Sequence, residues 1–320
     1  MKAALVHDFR SAPQYTDFPD PTPADGEVMV NISAAGLHPI VRALASGSHY
    51  GSTGALPFIP GIDGTGRLED GSRVYFGGAR PPYGTFAERA AVSPQFCIPL
   101  PGALDDLTAA GLANPAMSSW AALNVRAKFT PGESILILGA TGTAGRLAVQ
   151  IARRLGAKRI IGAGRDPGAL EQIGDLGADR AISLQQPEEA LISAFREELA
   201  RGIDIILDYL WGAPAETLLK AVVNKGLSHA ASRLRYLQIG SSAGVTITLP
   251  AAALRSSGLE LLGSGFGSAS MQEILRSVHD FFAAAAAERP FRFDFEAADL
   301  RDVETMWGRK DTRVVFRVLS

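Results

Sequence analysis

Residues 134–157 read SILILGATGTAGRLAVQIARRLGA. The first five form a continuous apolar run of the kind that makes a strand buried on both faces. Gly139, Gly142 and Gly145 punctuate the turn behind it, and Leu147, Ile151 and Leu155 then recur at helical spacing up to Gly156, a natural stop. Strand, glycine turn and helix in this order predict a phosphate-binding loop. Bare glycines let backbone N–H groups approach a pyrophosphate, and the helix N-terminus favours its charge. The expected contacts are Gly139, Thr141, Gly142, Thr143, Ala144 and Gly145. The competing reading, an empty strand–helix turn, is disfavoured by the second strand, RIIGAG (159–164), that follows the helix.

The end of that second strand selects the dinucleotide. NAD-binding folds place a carboxylate there for the ribose 2′-hydroxyl. Here Gly164 and Arg165 stand in that place, and Asp166 is followed by Pro167. A glycine leaves room for a 2′-phosphate and a guanidinium can grip it by paired hydrogen bonds. The expected cofactor is NADPH.

Working outward, strands and helical stretches alternate from about residue 119: after 159–164 come RAISL (180–184), IDIILDYL (203–210), RYLQIGSS (235–242) and LELLGSG (259–265). That alternation predicts an α/β Rossmann-type, doubly wound parallel sheet over 119–267. Residues 1–118 are rich in Gly and Pro, with short strands expected at EVMVNISAAG (27–36), GSRVYFGG (71–78) and GTFAERAAVS (84–93), and read as a mostly β segment. A long helical stretch starts near 268, and RVVFRVL (313–319) reads as a last strand.

Composition narrows the classes. A chain of 320 residues with net charge −2 has the size for two domains and offers no basic surface for nucleic acid or anionic membrane. The single cysteine, Cys97, can form neither an internal disulfide nor a cysteine cluster for a metal. The N-terminus meets Asp8 and Arg10 too early for a secretory leader, and no uncharged apolar window is long enough to span a bilayer. A cytoplasmic protein is expected.

The order of PFIPGIDGTGRL (57–68), GSRVYFGG (71–78), YGTFAE (83–88), PGESILILGATGTAGRLAVQIARRLGA (131–157) and DIILDYLWG (204–212) resembles the medium-chain dehydrogenase/reductase superfamily over nearly the whole chain. The resemblance implies a GroES-like catalytic domain, 1–118 and 268–320, around the Rossmann domain. It also implies that the turns after the fifth and sixth strands, with Gly240, Ser241, Ser264, Gly265 and Phe266, hold the nicotinamide carboxamide. Its zinc branch would put a Cys after the AAGL strand, a His-Glu pair in the PGID segment and a Cys before the central domain, where this chain has His38, then Ile62 and Asp63, then Asn114, so no metal is expected.

The chain therefore resembles the zinc-free quinone oxidoreductase branch, which implies hydride transfer from NADPH to a quinone or conjugated enone. The family pattern Asn-Pro-x-x-Asp is replaced here by His38-Pro39-Ile40-Val41. His38, Tyr50 and Asn114 are the expected catalytic residues, as proton or hydrogen-bond donors near the carbonyl. Tyr83, Trp120 and Phe266 are candidates for an apolar wall. Two alternatives remain at this level: a non-catalytic NADPH sensor and a thioester-dependent enoyl reductase. A catalytic short-chain reductase is excluded, because none of the tyrosines has Lys four residues on. The β-branched alternation of GVTITLP (244–250) predicts an edge strand through which a homodimer pairs.

Overall fold

The computed structural model describes residues 1–224, 232–287 and 290–318. It divides into two compact units, Met1–Pro115 with Val278–Ser320, and Ala116–Ser277.

The first unit opens with a two-stranded ladder, β1 (Lys2–Leu5) against β2 (Gln14–Asp17). β3 (Val28–Gly36), α1 (Pro39–Ala45), β4 (Asp63–Arg67), β5 (Arg73–Gly77), β6 (Arg89–Val92) and β7 (Cys97–Pro99) follow, and then α2 (Asp106–Ala121) begins. Its core is built from inward-facing strand residues, among them Val30, Ile32, Val74, Phe76 and Phe316, with Phe86 from the segment before β6. Strand 84–93 is shorter than expected, a ladder over Arg89–Val92 with an isolated bridge from Ala87 to Ala3.

Within the mostly β segment 1–118, the 16-residue α2 is an element the sequence did not announce. Ala109, Ala110, Leu112, Ala113, Ala116 and Trp120 are all buried, so the helix has no single apolar stripe to announce it, and Gly111 and Pro115 interrupt it further. A π-helical segment, Ala122–Ala127, ends at Lys128 with φ of 52°.

The second unit carries β8 (Ser134–Leu138), α3 (Thr143–Arg154), β9 (Arg159–Gly164), α4 (Pro167–Gln172), β10 (Arg180–Ser183), α5 (Glu188–Ala200), β11 (Ile205–Asp208), α6 (Gly212–Val222), β12 (Arg233–Gln238), α7 (Ala251–Arg255) and β13 (Gly258–Gly263). The sheet order is β10-β9-β8-β11-β12-β13 with every pairing parallel. β8 is buried at all five positions because β9 and β11 flank it. This is the doubly wound arrangement in which ligands bind outside the carboxyl ends of the strands, where the order reverses. Here that point lies between β8 and β11.

The edge strand expected at 244–250 is absent. The segment has no ladder partner and Val245 is 83% exposed. Its alternation instead turns Ile247 and Leu249 towards the core of this unit. The edge strands of the sheet are β10 and β13.

α8 (Met271–Ala285) leads back to the first unit, which closes with β14 (Glu296–Asp299), α9 (Val303–Met306) and β15 (Val314–Arg317). Its larger sheet runs β14-β15-β3-β4-β5-β7, with β6 also on β3. No helix among the described residues is long and apolar enough to cross a membrane.

Candidate functional site

The glycine turn is shaped by backbone geometry. Gly139 leaves β8 at φ of 89°, in the left-handed region that favours glycine. Its N–H and that of Ala140 both donate to Ala163 O, each at 2.9 Å, tying the turn to the end of β9. A Cβ at Gly145 would stand 2.1 Å from Gly139 O, so only glycine lets α3 start this close to the strand. The N-cap is Gly142, which has no side chain to cap with, and the first helical bond is Arg146 N to Gly142 O at 2.8 Å. Among the described residues nothing accepts from the N–H groups of Thr143, Ala144 and Gly145. Three aimed donors at a helix N-terminus make a receptor for an anion.

The end of β9 is built to match. A Cβ at Gly164 would collide with the Thr141 side chain, so Thr141 packs directly against bare backbone. Arg165 is exposed and makes no hydrogen bond or ion pair among the described residues. Asp166, the nearest acid, is occupied: its Oδ1 accepts from Ala169 N at 2.7 Å as the N-cap of α4. The residues after β12 and β13 reach the same edge, because parallel strands share their carboxyl end. A Cβ at Gly240 would lie 2.7 Å from Tyr209 O, and Ser264 N donates to Gln238 O at 2.8 Å. Ser241, Gly265 and Phe266 are exposed on these turns.

Three residues of this edge were not singled out as cofactor contacts from sequence. Asp208, at the end of β11, accepts from Leu210 N at 2.8 Å and Trp211 N at 3.0 Å through Oδ1, and from the Tyr236 hydroxyl at 2.7 Å through Oδ2. Burial raises its carboxyl above the ordinary value. This grip holds Trp211 at φ of 57°, a conformation costly for a non-glycine residue. Tyr209 shares a 2.7 Å hydrogen bond with Ser119, and burial pushes its hydroxyl up to about 12. The cue available in sequence was an aspartate ending a strand before a turn.

In the first unit, His38 follows β3 and precedes Pro39, and it is completely buried. Its Nδ1 lies 3.3 Å from Arg313 Nη1 and its Nε2 3.3 Å from Asp63 Oδ1. Asp63 Oδ2 accepts from the Tyr75 hydroxyl at 2.6 Å. A guanidinium can only donate, so Nδ1 accepts and the imidazole proton sits on Nε2, facing the carboxylate. Burial lowers the His38 value, against the opposing pull of Asp63. Burial, reinforced by the Asp63 charge, puts the Tyr75 hydroxyl well above its usual range.

The three residues expected to be catalytic have very different surroundings. His38 has no surface from which to touch a ligand; it is a link between Arg313 and Asp63. Tyr50 is 78% exposed, its ring 4.1 Å from that of His49. Asn114 is half-buried on α2. The three residues of the expected aromatic wall belong to both units. Tyr83 packs edge-on against Phe18 and donates to Asp20 O at 3.3 Å, Trp120 is buried, and Phe266 is 43% exposed.

A doubly wound parallel sheet with an anion-binding glycine turn, joined in one chain to a mostly β unit, defines a dinucleotide-dependent oxidoreductase. Residues 144–283 match the zinc-binding dehydrogenase family. The probable NADPH-dependent quinone reductase tdiC of Emericella nidulans is 30% identical over 98% of this chain and 98% of its own length. The quinone oxidoreductase of Homo sapiens is 29% identical over 77% of this chain and 75% of its own. The crystal structure of the quinone oxidoreductase from Thermus thermophilus, also determined in complex with NADPH, superposes with a TM-score of 0.79 at 26% identity, over 99% of this chain and 100% of that one. The chain belongs to the medium-chain dehydrogenase/reductase superfamily, in its quinone oxidoreductase-like branch.

Proposed function

We propose that this protein is an NADPH-dependent, zinc-independent reductase that acts on a quinone or a conjugated enone. The observation that carries the cofactor choice is the end of β9, where bare Gly164 and unpartnered Arg165 stand beside an Asp166 already used as a helix cap. The names of its quinone reductase relatives point the same way. NADPH, when bound, supplies the hydride. The chain holds it through the N–H groups of Thr143, Ala144 and Gly145, leaves room at Gly164, and meets the 2′-phosphate with the Arg165 guanidinium. Gly240, Ser241, Ser264, Gly265 and Phe266 line the nicotinamide end. A quinone or enolate can take its proton from water, so no buried acid is required.

The residues at the zinc-branch positions do not fit a metal ion. Ile62 has no side-chain donor atom, and His38 Nδ1 is taken by a guanidinium that would repel a second cation, while its buried Nε2 faces Asp63 at 3.3 Å without a hydrogen bond. Tyr50 and Asn114 are retained as substrate contacts in this reading, and His38 as a buried positioning residue.

NADPH consumption followed against benzoquinone, phenanthrenequinone and short enones tests the reading. Saturable turnover on a quinone that survives chelation of metals supports it. A second reading, an NADPH-binding sensor, is favoured by the complete burial of His38; tight NADPH binding with no turnover on any of these compounds would select it. We also propose a cytoplasmic homodimer. Its interface moves from 244–250 to the open β13 edge, where Leu261 is 39% exposed. A monomer mass in light scattering would contradict it.

A further inference from the structure

Tyr209 follows Asp208 at the carboxyl end of β11 and is tied to three neighbouring segments of the second unit. Its N–H donates to the O of Leu138, the last residue of β8, at 3.1 Å. Its own O accepts from Ser242 Oγ at 3.0 Å, and a Cβ at Gly240 would stand 2.7 Å from that same oxygen. On the other side, a Cβ at Gly139 would stand 3.3 Å from Tyr209 Cβ. The residue is therefore wedged between the glycine turn behind β8 and the turn behind β12. Its hydroxyl reaches away from both and shares the 2.7 Å hydrogen bond with Ser119, a completely buried residue in the part of α2 that belongs to this unit.

A wedge fixes the gap between two turns only if its own far end is held. A tyrosine free at its tip can change its χ1 well, and a short hydrogen bond to a buried partner selects one. Burial pushes the Tyr209 hydroxyl up to about 12, against the pull of its hydrogen bonds to Ser119 and Ser118, so the hydroxyl stays protonated across the neutral range. Tyr209 itself is half-buried and keeps surface open at the carboxyl edge of the sheet, the edge on which doubly wound folds bind dinucleotides. A dinucleotide anchored at its pyrophosphate delivers its nicotinamide correctly only while the two turns keep their separation. A misplacement of about 1 Å can cost about a hundredfold in rate.

We propose that Tyr209, locked by Ser119, is a positioning residue that aligns the nicotinamide of bound NADPH. The role rests on the cofactor reading above, with the pyrophosphate on the glycine turn and the nicotinamide at Gly240 and Ser241. Three measurements on the whole protein separate it from a merely structural contact. Adenosine 2′,5′-bisphosphate, which carries the adenine half and the 2′-phosphate without the nicotinamide, binds wild type and Tyr209→Phe with the same Kd in calorimetry. The emission of bound NADPH, which reports how the nicotinamide is held, shifts in the variant towards that of free NADPH. With benzoquinone as acceptor, kcat falls about tenfold in the variant while KM for NADPH changes by less than about twofold, the pattern of an interaction that counts only in the transition state. Ser119→Ala reproduces the loss, and the double variant is no worse than either single one, because both remove the same bond.

A wild type that binds neither the bisphosphate nor NADPH would refute the cofactor reading and this role with it. A wild type that alters NADPH emission but turns over no quinone would refute the reductase reading alone, and the role would stand on the emission shift in Tyr209→Phe. Unchanged kcat and emission in Tyr209→Phe, an equal weakening of bisphosphate and NADPH binding, or additive losses in the double variant would overturn the role. Should Tyr209→Phe fail to fold, Ser119→Ala makes the same test from the other end of the bond, and unchanged emission and kcat in that variant would equally overturn it.

Discussion

Thr141 and Gly164 are in direct contact: a Cβ added at Gly164 would stand 2.4 Å from Thr141 Cγ2 and 2.7 Å from its Oγ1. One residue belongs to the glycine turn and the other to the end of β9, so in the proposed NADPH site this contact sets the width available to the ribose. Gly164→Ala should push Thr141 aside and weaken NADPH binding about tenfold. The double variant Gly164→Ala with Thr141→Ala removes the obstructing atoms and should recover most of the loss, a coupling that a double-mutant cycle of fluorescence-detected binding measures. Additive losses would show that the contact is not what limits the site.

Asp208 holds the β11–α6 turn through three hydrogen bonds. Asp208→Ala leaves two backbone N–H groups and the Tyr236 hydroxyl without their acceptor. The expected cost is about 2–4 kcal/mol in urea unfolding. NADPH binding should weaken as well, because Trp211 is no longer held in its strained conformation. A variant as stable as the wild type would show that water replaces the carboxylate without loss.

His38 makes stability depend on pH. Its folded value lies below the ordinary 6.5, so in mild acid the unfolded chain binds a proton that the folded chain refuses. Its contribution is therefore complete above about pH 6.5 and falls as pH drops through the window down to the folded value, with a slope approaching about 1.4 kcal/mol per pH unit. His38→Gln should flatten that part of the profile in urea unfolding measured across pH. An identical slope in the variant would place the acid sensitivity elsewhere.

These three sites were legible to different degrees. The β8–α3 unit could be read because its signals are local: an apolar run, glycines at a fixed interval and an apolar stripe, all within two dozen residues. Gly164 and Arg165 were readable for the same reason. His38 stands out in the sequence, but its burial and its contact with Arg313 do not, since that partner lies 275 residues away and only folding brings them together. α2 escaped because a helix buried on nearly every side shows no periodic stripe. The segment 244–250 has the right alternation for a strand and no strand to pair with, a fact that belongs to the tertiary arrangement rather than to the residues themselves.

The most direct test of the account is the ratio of kcat/KM for NADPH to that for NADH with benzoquinone as acceptor, measured in the wild type and in Arg165→Asp. The wild type is expected to prefer NADPH by about tenfold or more, and the variant to lose that preference through a raised KM for NADPH with little change for NADH. An equal preference in the two proteins would contradict the assignment of the 2′-phosphate to Gly164 and Arg165, and with it the choice of cofactor.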